Sequence, residues 1–97
     1  MKTLRFHPEA RIEMVAAAQY YEKAQEGLGR RFLEAVHSAA RHIPLMPAIY
    51  QAIEGDIRRC CVEKFPFGLV FREKEDHIEI IALIHFKRCP GYWKDRI

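Results

Sequence analysis

Between residues 8 and 25 the apolar positions Ala10, Met14, Ala17, Tyr21 and Ala24 recur at spacings of four and three. That period belongs to one face of a helix. Pro8 suits the first helical position and Glu9 suits the positive end of the helix dipole. The spacing therefore predicts a helix from Pro8 to about Gln25, with Leu28 continuing its stripe and small alanines that allow a neighbour to approach closely. "GLG", Gly27 to Gly29, breaks this helix. A second helix is predicted over about Arg30 to Ile43, where Phe32, Val36, Ala39 and Ile43 form the stripe and Leu33 and Ala40 widen it. So short a break predicts an antiparallel helical hairpin. "PLMP" ends the second helix, and "AIYQAIEGD" reads as a loop.

The remaining segments have the period of strands. "KTLRF" alternates weakly ahead of the first helix. "IRRCCVEKF" is mixed in polarity, "FGLVF" is apolar, and "HIEIIALIHF" is apolar on both pleat faces, which marks a central strand. "PFG" supplies a tight turn and "REKED" a charged hairpin turn. The predicted fold is α+β, in the order β-α-α-β-β-β. A helical hairpin packs on one face of a small, largely antiparallel four-stranded sheet. Tyr21 and Phe32 are expected between helices and sheet, with Ile80, Ala82 and Ile84 beneath or opposite them.

Composition adds bounds. Residues 1–97 carry no repeat, low-complexity stretch or linker and are read as a single domain. A chain that is 49% hydrophobic and 30% charged, with only five Gly and five Pro, is globular and not disordered. The net charge of +3 permits an acidic or polyanionic partner without requiring one. No apolar run is long enough to span a bilayer, so no membrane partner is expected. "MKTLRFHPEARIE" turns charged too early for a secretory leader, and the expected location is the cytoplasm. Three cysteines, an odd number, fit a reducing compartment. Cys60, Cys61, Cys89 and His85 raise the question of zinc, but adjacent strand residues point to opposite faces. No metal and no cofactor are expected, and the cysteines read as small buried hydrophobes.

Five stretches, "FHPEA", "AAAQYYE", "GLGRRFLEAV", "RRCCVEKFPFGLVFRE" and "HFKRCPGYW", run in order over nearly the whole chain. Together they resemble the RelE/ParE toxin superfamily of type II toxin–antitoxin modules, often called plasmid stabilisation proteins. The combination of "GLGxRF", "FPxxxxFR" and a final "HxxRxPxYW" resembles its ParE-like branch. The resemblance implies the fold derived above and a cognate antitoxin whose C-terminal segment wraps and silences the toxin. It leaves two targets open. RelE-like members cut mRNA in the ribosomal A site without a metal, whereas ParE-like members poison DNA gyrase and are not known as enzymes. A degenerate member that only binds its antitoxin is a third reading. A homodimer or a hetero-oligomer with the antitoxin is compatible with each.

Metal-free RNA cleavage needs a base, an acid and cations at the phosphorane. Arg58, Arg59, Lys64, Arg72, His85, Lys87, Arg88 and Tyr92 have the right chemistry. Arg88 and Tyr92 best resemble the family's C-terminal arginine and tyrosine, while His85 with Phe86 resembles the terminal His-aromatic pair of one nuclease subgroup, and the two alignments are not in register with each other. His85, Arg88 and Tyr92 are the catalytic candidates if the protein is a nuclease. Against that reading, RelE-like nucleases carry an arginine directly after the aromatic that begins their third strand, and here that place is Gly68. Arg72 lies four residues on, about 13 Å along an extended strand, and does not substitute. A non-nucleolytic gyrase inhibitor is therefore favoured. Arg58, Arg59, Arg72, Lys87, Arg88 and Trp93 are the candidate contacts to antitoxin or target, on the sheet's open face and the helical hairpin. Tyr92 and Trp93 are also expected to fold back and pin the tail after the turn at Pro90 and Gly91. Ile12 and Val15 lie off the first helix's stripe, as a partner surface would. Arg30 and Arg31 stand at a dipole end that disfavours them.

Overall fold

A computed structural model of the chain describes residues 2–88 and 90–97. Its elements are β1 (Thr3–Phe6), α1 (Pro8–Ala24), α2 (Leu28–His42), β2 (Gln51–Glu54), β3 (Ile57–Cys61), β4 (Phe67–Glu73) and β5 (His77–His85). Short 3-10 turns occupy Ile43–Leu45, Pro47–Ile49 and Lys94–Arg96. The sheet order is β1-β5-β4-β3-β2, with β1 parallel to β5 and every other pair antiparallel. β5, the most apolar segment, is flanked on both sides, as its two apolar faces predict.

The sheet has five strands, not four. The extra strand, β2, lies within the segment read as a loop and pairs Gln51 with Arg59 and Ala52 with Arg58. Three of its four residues are exposed, so it carries no apolar alternation. Its signal is instead the Gly55-Asp56 pair, with Gly55 at φ +56°, which suits a two-residue hairpin turn.

The helical hairpin is closed by one carboxylate. His7 caps α1, its Nδ1 accepting the Glu9 N–H at 3.1 Å. At the other end the chain reverses through Gly27 (φ +84°), and α2 starts at Leu28, two residues earlier than expected, so Leu28 opens α2 instead of extending the α1 stripe. The Glu22 carboxylate accepts the N–H groups of Gly27 at 2.9 Å and Gly29 at 3.0 Å. The first turn of α2 has no acid of its own. Glu22 supplies from α1 the negative charge that the dipole favours and that Arg30 and Arg31 oppose. Gly29 also lets the helices touch: a Cβ there would lie 2.5 Å from the Ala18 carbonyl oxygen.

Ala10, Met14 and Ala18 of α1 face Phe32, Val36, Ala40 and Ile43, and both sets press on Cys60, Val62, Leu69, Phe71, Ile78, Ile80 and Leu83 of the sheet side. Tyr21, Phe32, Phe65 and Phe67 interlock edge-on or tilted, with centroids 5.0 to 6.2 Å apart. A bulge changes the parity of β5. Phe71 pairs with Ile80 but Val70 pairs with Ala82, leaving Ile81 as the extra residue. Ile80 therefore lies under the helices as expected. Beyond the bulge it is Leu83 that faces them, while Ala82 and Ile84 turn to the far face with Ile57, Val70 and Ile81.

Phe32 is fully buried. Phe32→Ala should cost about 3–5 kcal/mol, read as a lowered denaturant midpoint with an unchanged slope. Gly29→Ala should cost about 1–3 kcal/mol by forcing the two helices apart. A wild-type midpoint for Gly29→Ala would show that the hairpin tolerates a wider separation.

Candidate functional site

β1 pairs with β5 only from His77 to Ile80, because the chain then leaves through His7 into α1. Beyond Ile80 that side of β5 has no strand neighbour, and its backbone polar groups need other partners. Side chains from α1 and the C-terminal segment supply them. The Glu13 Oε1 accepts the Leu83 N–H at 3.1 Å. Arg96 grips Glu13 with both terminal nitrogens, at 3.0 and 2.9 Å, and its Nη1 also donates to the Ile81 carbonyl at 3.1 Å. The Tyr92 hydroxyl donates to Glu13 Oε2 at 2.7 Å. The Tyr92 ring lies under two guanidinium groups, with Arg88 4.0 Å and Arg96 5.2 Å from its centroid.

The electrostatics follow from this geometry. Burial raises the Glu13 pKa, but hydrogen bonds from Arg96, Tyr92 and the Leu83 N–H outweigh it and hold the carboxyl below its ordinary value. Tyr92 is pushed far above its ordinary value by burial and by the Glu13 carboxylate that accepts its proton. The hydrogen bond to Glu13 raises the already high pKa of Arg96. The pair is sheltered, its side chains only 15% and 12% exposed, so the bidentate contact is worth more than a surface ion pair.

The expected site residues divide between the two faces of the sheet. His85 stands on the helix side, edge-on to Phe67 at 5.0 Å, and its Nδ1 accepts the Lys87 N–H at 3.0 Å. Arg58 is on the same side and donates to the Tyr50 carbonyl at 2.7 Å. Arg59 and Arg72 are on the far side, held by Gln51 at 3.0 Å and Glu79 at 3.3 Å. Gly68 is buried on that far side, and a Cβ there would lie 3.0 Å from Cγ and Cδ of Arg59. Arg59 thus crosses Gly68 diagonally from β3, and its guanidinium rests 5.4 Å from the Phe86 ring centroid. Lys87 and Arg88 are exposed beyond β5. Arg88 and Tyr92 are brought together, and His85 is turned to the other face.

The sheet's far face is not open. Trp93 is 4% exposed and packs on Ile57, Val70, Ile81 and Ala82, with Tyr92 beside it. The tail folds back as expected, after Gly91 at φ +81°. Trp93 is thereby a packing residue, and its indole does not reach solvent as a free contact. Among the described residues no group of three His, Cys, Asp or Glu side chains could hold a metal ion. Cys89 lies outside the described residues, Cys60 is buried and Cys61 is exposed. A groove of about 760 Å³ runs between α2 and the β3–β4 hairpin, lined by Arg31, Ala35, His42, Tyr50, Lys64 and Phe65 among others. Sequence reasoning missed Glu13 and Arg96. Glu13 had one signal, being an acid at the margin of the apolar α1 stripe. Arg96 had none, since it belongs to no periodic segment.

Residues 4–89 match the family model for the ParE toxin of the type II toxin–antitoxin system parDE. No curated protein matches the chain. Among solved structures it is similar to a chain of the chromosomal ParDE TA system from P. aeruginosa, at 17% identity and a TM-score of 0.75. That alignment covers 88% of this chain and 96% of the other, and at such identity the likeness is one of fold.

The depressed Glu13 pKa sets the sign of an acid dependence. The folded carboxyl binds its proton more weakly than the unfolded one, so its contribution is complete above the unfolded pKa. It is lost as pH falls through the lower folded pKa. Denaturant midpoints followed from neutral to acid pH should fall over that window, and Glu13→Gln should flatten this part of the fall. Arg96→Ala should cost about 3 kcal/mol at neutral pH, because it strands a sheltered carboxylate.

Proposed function

The chain belongs to the ParE toxin family of type II toxin–antitoxin systems, and on that premise we propose that it is a toxin silenced by a cognate antitoxin. We infer further that it acts without cutting RNA, by inhibiting DNA gyrase as the ParE-like branch does. The observation that carries this reading is the arrangement around Gly68. Nuclease chemistry would want an arginine there, and its place against the sheet is filled by the aliphatic stem of Arg59. The other catalytic candidates are engaged elsewhere. His85 is tied to the Lys87 N–H on the helix side. Tyr92 has its proton committed to Glu13, and its raised pKa makes it a weaker acid than free tyrosine. Lys87 and Arg88 remain exposed and suit acidic groups of an antitoxin or of the target.

One observation favours the ribosome-dependent mRNA endonuclease instead. Arg88 lies 4.0 Å from the Tyr92 ring, so a cation and a phenol do meet at the end of β5. The hydroxyl nonetheless donates its proton to Glu13 Oε2 at 2.7 Å, so that proton is already engaged.

The test is expression of the chain with and without its neighbouring antitoxin gene, followed through growth, mRNA ends and DNA supercoiling. Growth arrest should appear without the antitoxin, with altered supercoiling and no new A-site mRNA ends. His85→Ala should inhibit growth as strongly as the wild type. Loss of both toxicity and A-site cleavage in a folded, antitoxin-binding His85→Ala variant would establish the nuclease reading. Antitoxin binding without any growth effect would leave only the degenerate reading.

A further inference from the structure

The two helices present very different outward faces. α2 turns Arg30, Arg31, Glu34, His37 and Arg41 to solvent, as a surface helix should. α1 is apolar on both sides. Its inward stripe of Ala10, Met14 and Ala18 is buried, while Ile12, Val15 and Tyr20 point outward at 59%, 51% and 71% exposure. Ile12 and Tyr20 lie two turns apart on one outward face, and Val15 flanks Ile12 at its margin.

The order of residues along that patch is self-complementary. Glu9, Ile12, Ala16, Tyr20 and Lys23 share the outward face and succeed one another at spacings of three, four, four and three. This sequence of spacings reads the same in both directions about Ala16. An isologous two-fold contact needs such symmetry, because each residue must meet its counterpart's mirror position. Antiparallel pairing about Ala16 sets Ile12 on the partner's Tyr20 and Glu9 opposite the partner's Lys23. Each of these contacts occurs twice. Ala16, the smallest residue of the five, stands at the crossing point, where helix axes approach most closely. Among the described residues neither Glu9 nor Lys23 takes part in an ion pair within the chain. Both are exposed, and Glu9 also feels the Arg96 guanidinium across a small pocket.

We propose that the outward face of α1 is a self-association surface, through which two copies of this chain pair their α1 helices antiparallel about Ala16. The charge complementarity between Glu9 and Lys23 selects a second copy, and selects the antiparallel sense, since a parallel pair would set like charges together. Glu9 borders the Glu13–Tyr92–Arg96 cluster, one helical turn from Glu13 and beside Arg96, whereas the α2 groove lies apart from the surface and stays accessible in the pair.

Sedimentation velocity of the full refolded chain, freed of antitoxin, tests this over a wide concentration range. The expected result is a monomer–dimer equilibrium. Glu9→Lys and Lys23→Glu should each weaken it, raising the dimer Kd roughly tenfold, because each places two like-charge contacts at the interface. The two single variants mixed together should recover the wild-type Kd. In the mixed pair the introduced lysine of one copy meets the introduced glutamate of the other, and the unaltered Lys23 meets the unaltered Glu9. The double variant should recover it too. Ala16→Arg, with the thermal midpoint as a check on folding, should give monomer only. A chain that stays monomeric throughout overturns the proposal, as does a dimer whose Kd ignores the charge swaps or is not restored by mixing. A monomer whose antitoxin binding is weakened by Lys23→Glu assigns the face to the antitoxin and also overturns it.

Discussion

The Glu13 carboxylate joins three parts of the chain that are far apart in sequence. It accepts from Leu83 on the central strand and from Tyr92 and Arg96 in the C-terminal segment. Without it, the second half of β5 would present bare backbone to solvent beside the helical hairpin. An open edge of that kind invites pairing with another chain. The same carboxylate fixes α1 against the sheet and holds the segment that carries Trp93 across the far face. The two hydrophobic layers on either side of the sheet thus meet at one ion pair with a low-pKa acid and an obligate cation.

That arrangement also governs what the residues of nucleolytic type can do. A tyrosine whose proton is shared with a carboxylate, under two guanidinium groups, is an anchor first. The arginine the nuclease pattern wants after the β4 aromatic is absent, and its neighbour Arg59 fills the space across the strand pair. The stem of Arg59 packs on Gly68, so the cation is displaced towards Phe86 and the sheet margin. The cations are therefore divided between the two faces of the sheet and do not converge on one point.

Much of the fold was legible because period and burial coincide. Phe32, Val36 and Ile43 repeat at helical spacing and are all buried, and β5 is apolar on both faces because both are covered. The elements that escaped are those whose cause is not local. β2 buries little beyond Ile53 and exists through its pairing with β3. The bulge at Ile81 cannot be seen in a run of apolar residues, since either parity leaves the run apolar. Arg30 and Arg31 looked misplaced because the acid that offsets them, Glu22, sits on the preceding helix. The candidate cations were legible as residue types. Their division between two faces, and the role of Glu13 and Arg96, depend on contacts across the whole chain.

The parallel pairing of β1 with β5 sets an order on the birth of the protein. Residues 3–6 have no strand partner until residues 77–80 have left the ribosome, and Glu13 waits longer for Tyr92 and Arg96. The helical hairpin can form early from its own local contacts, but the sheet cannot close until its central strand, residues 77–85, has been made. Contacts of such high sequence separation also fold slowly. Until β5 emerges, a nascent chain holds the hairpin made and β1 unpaired. That interval is when another strand could take the vacant place.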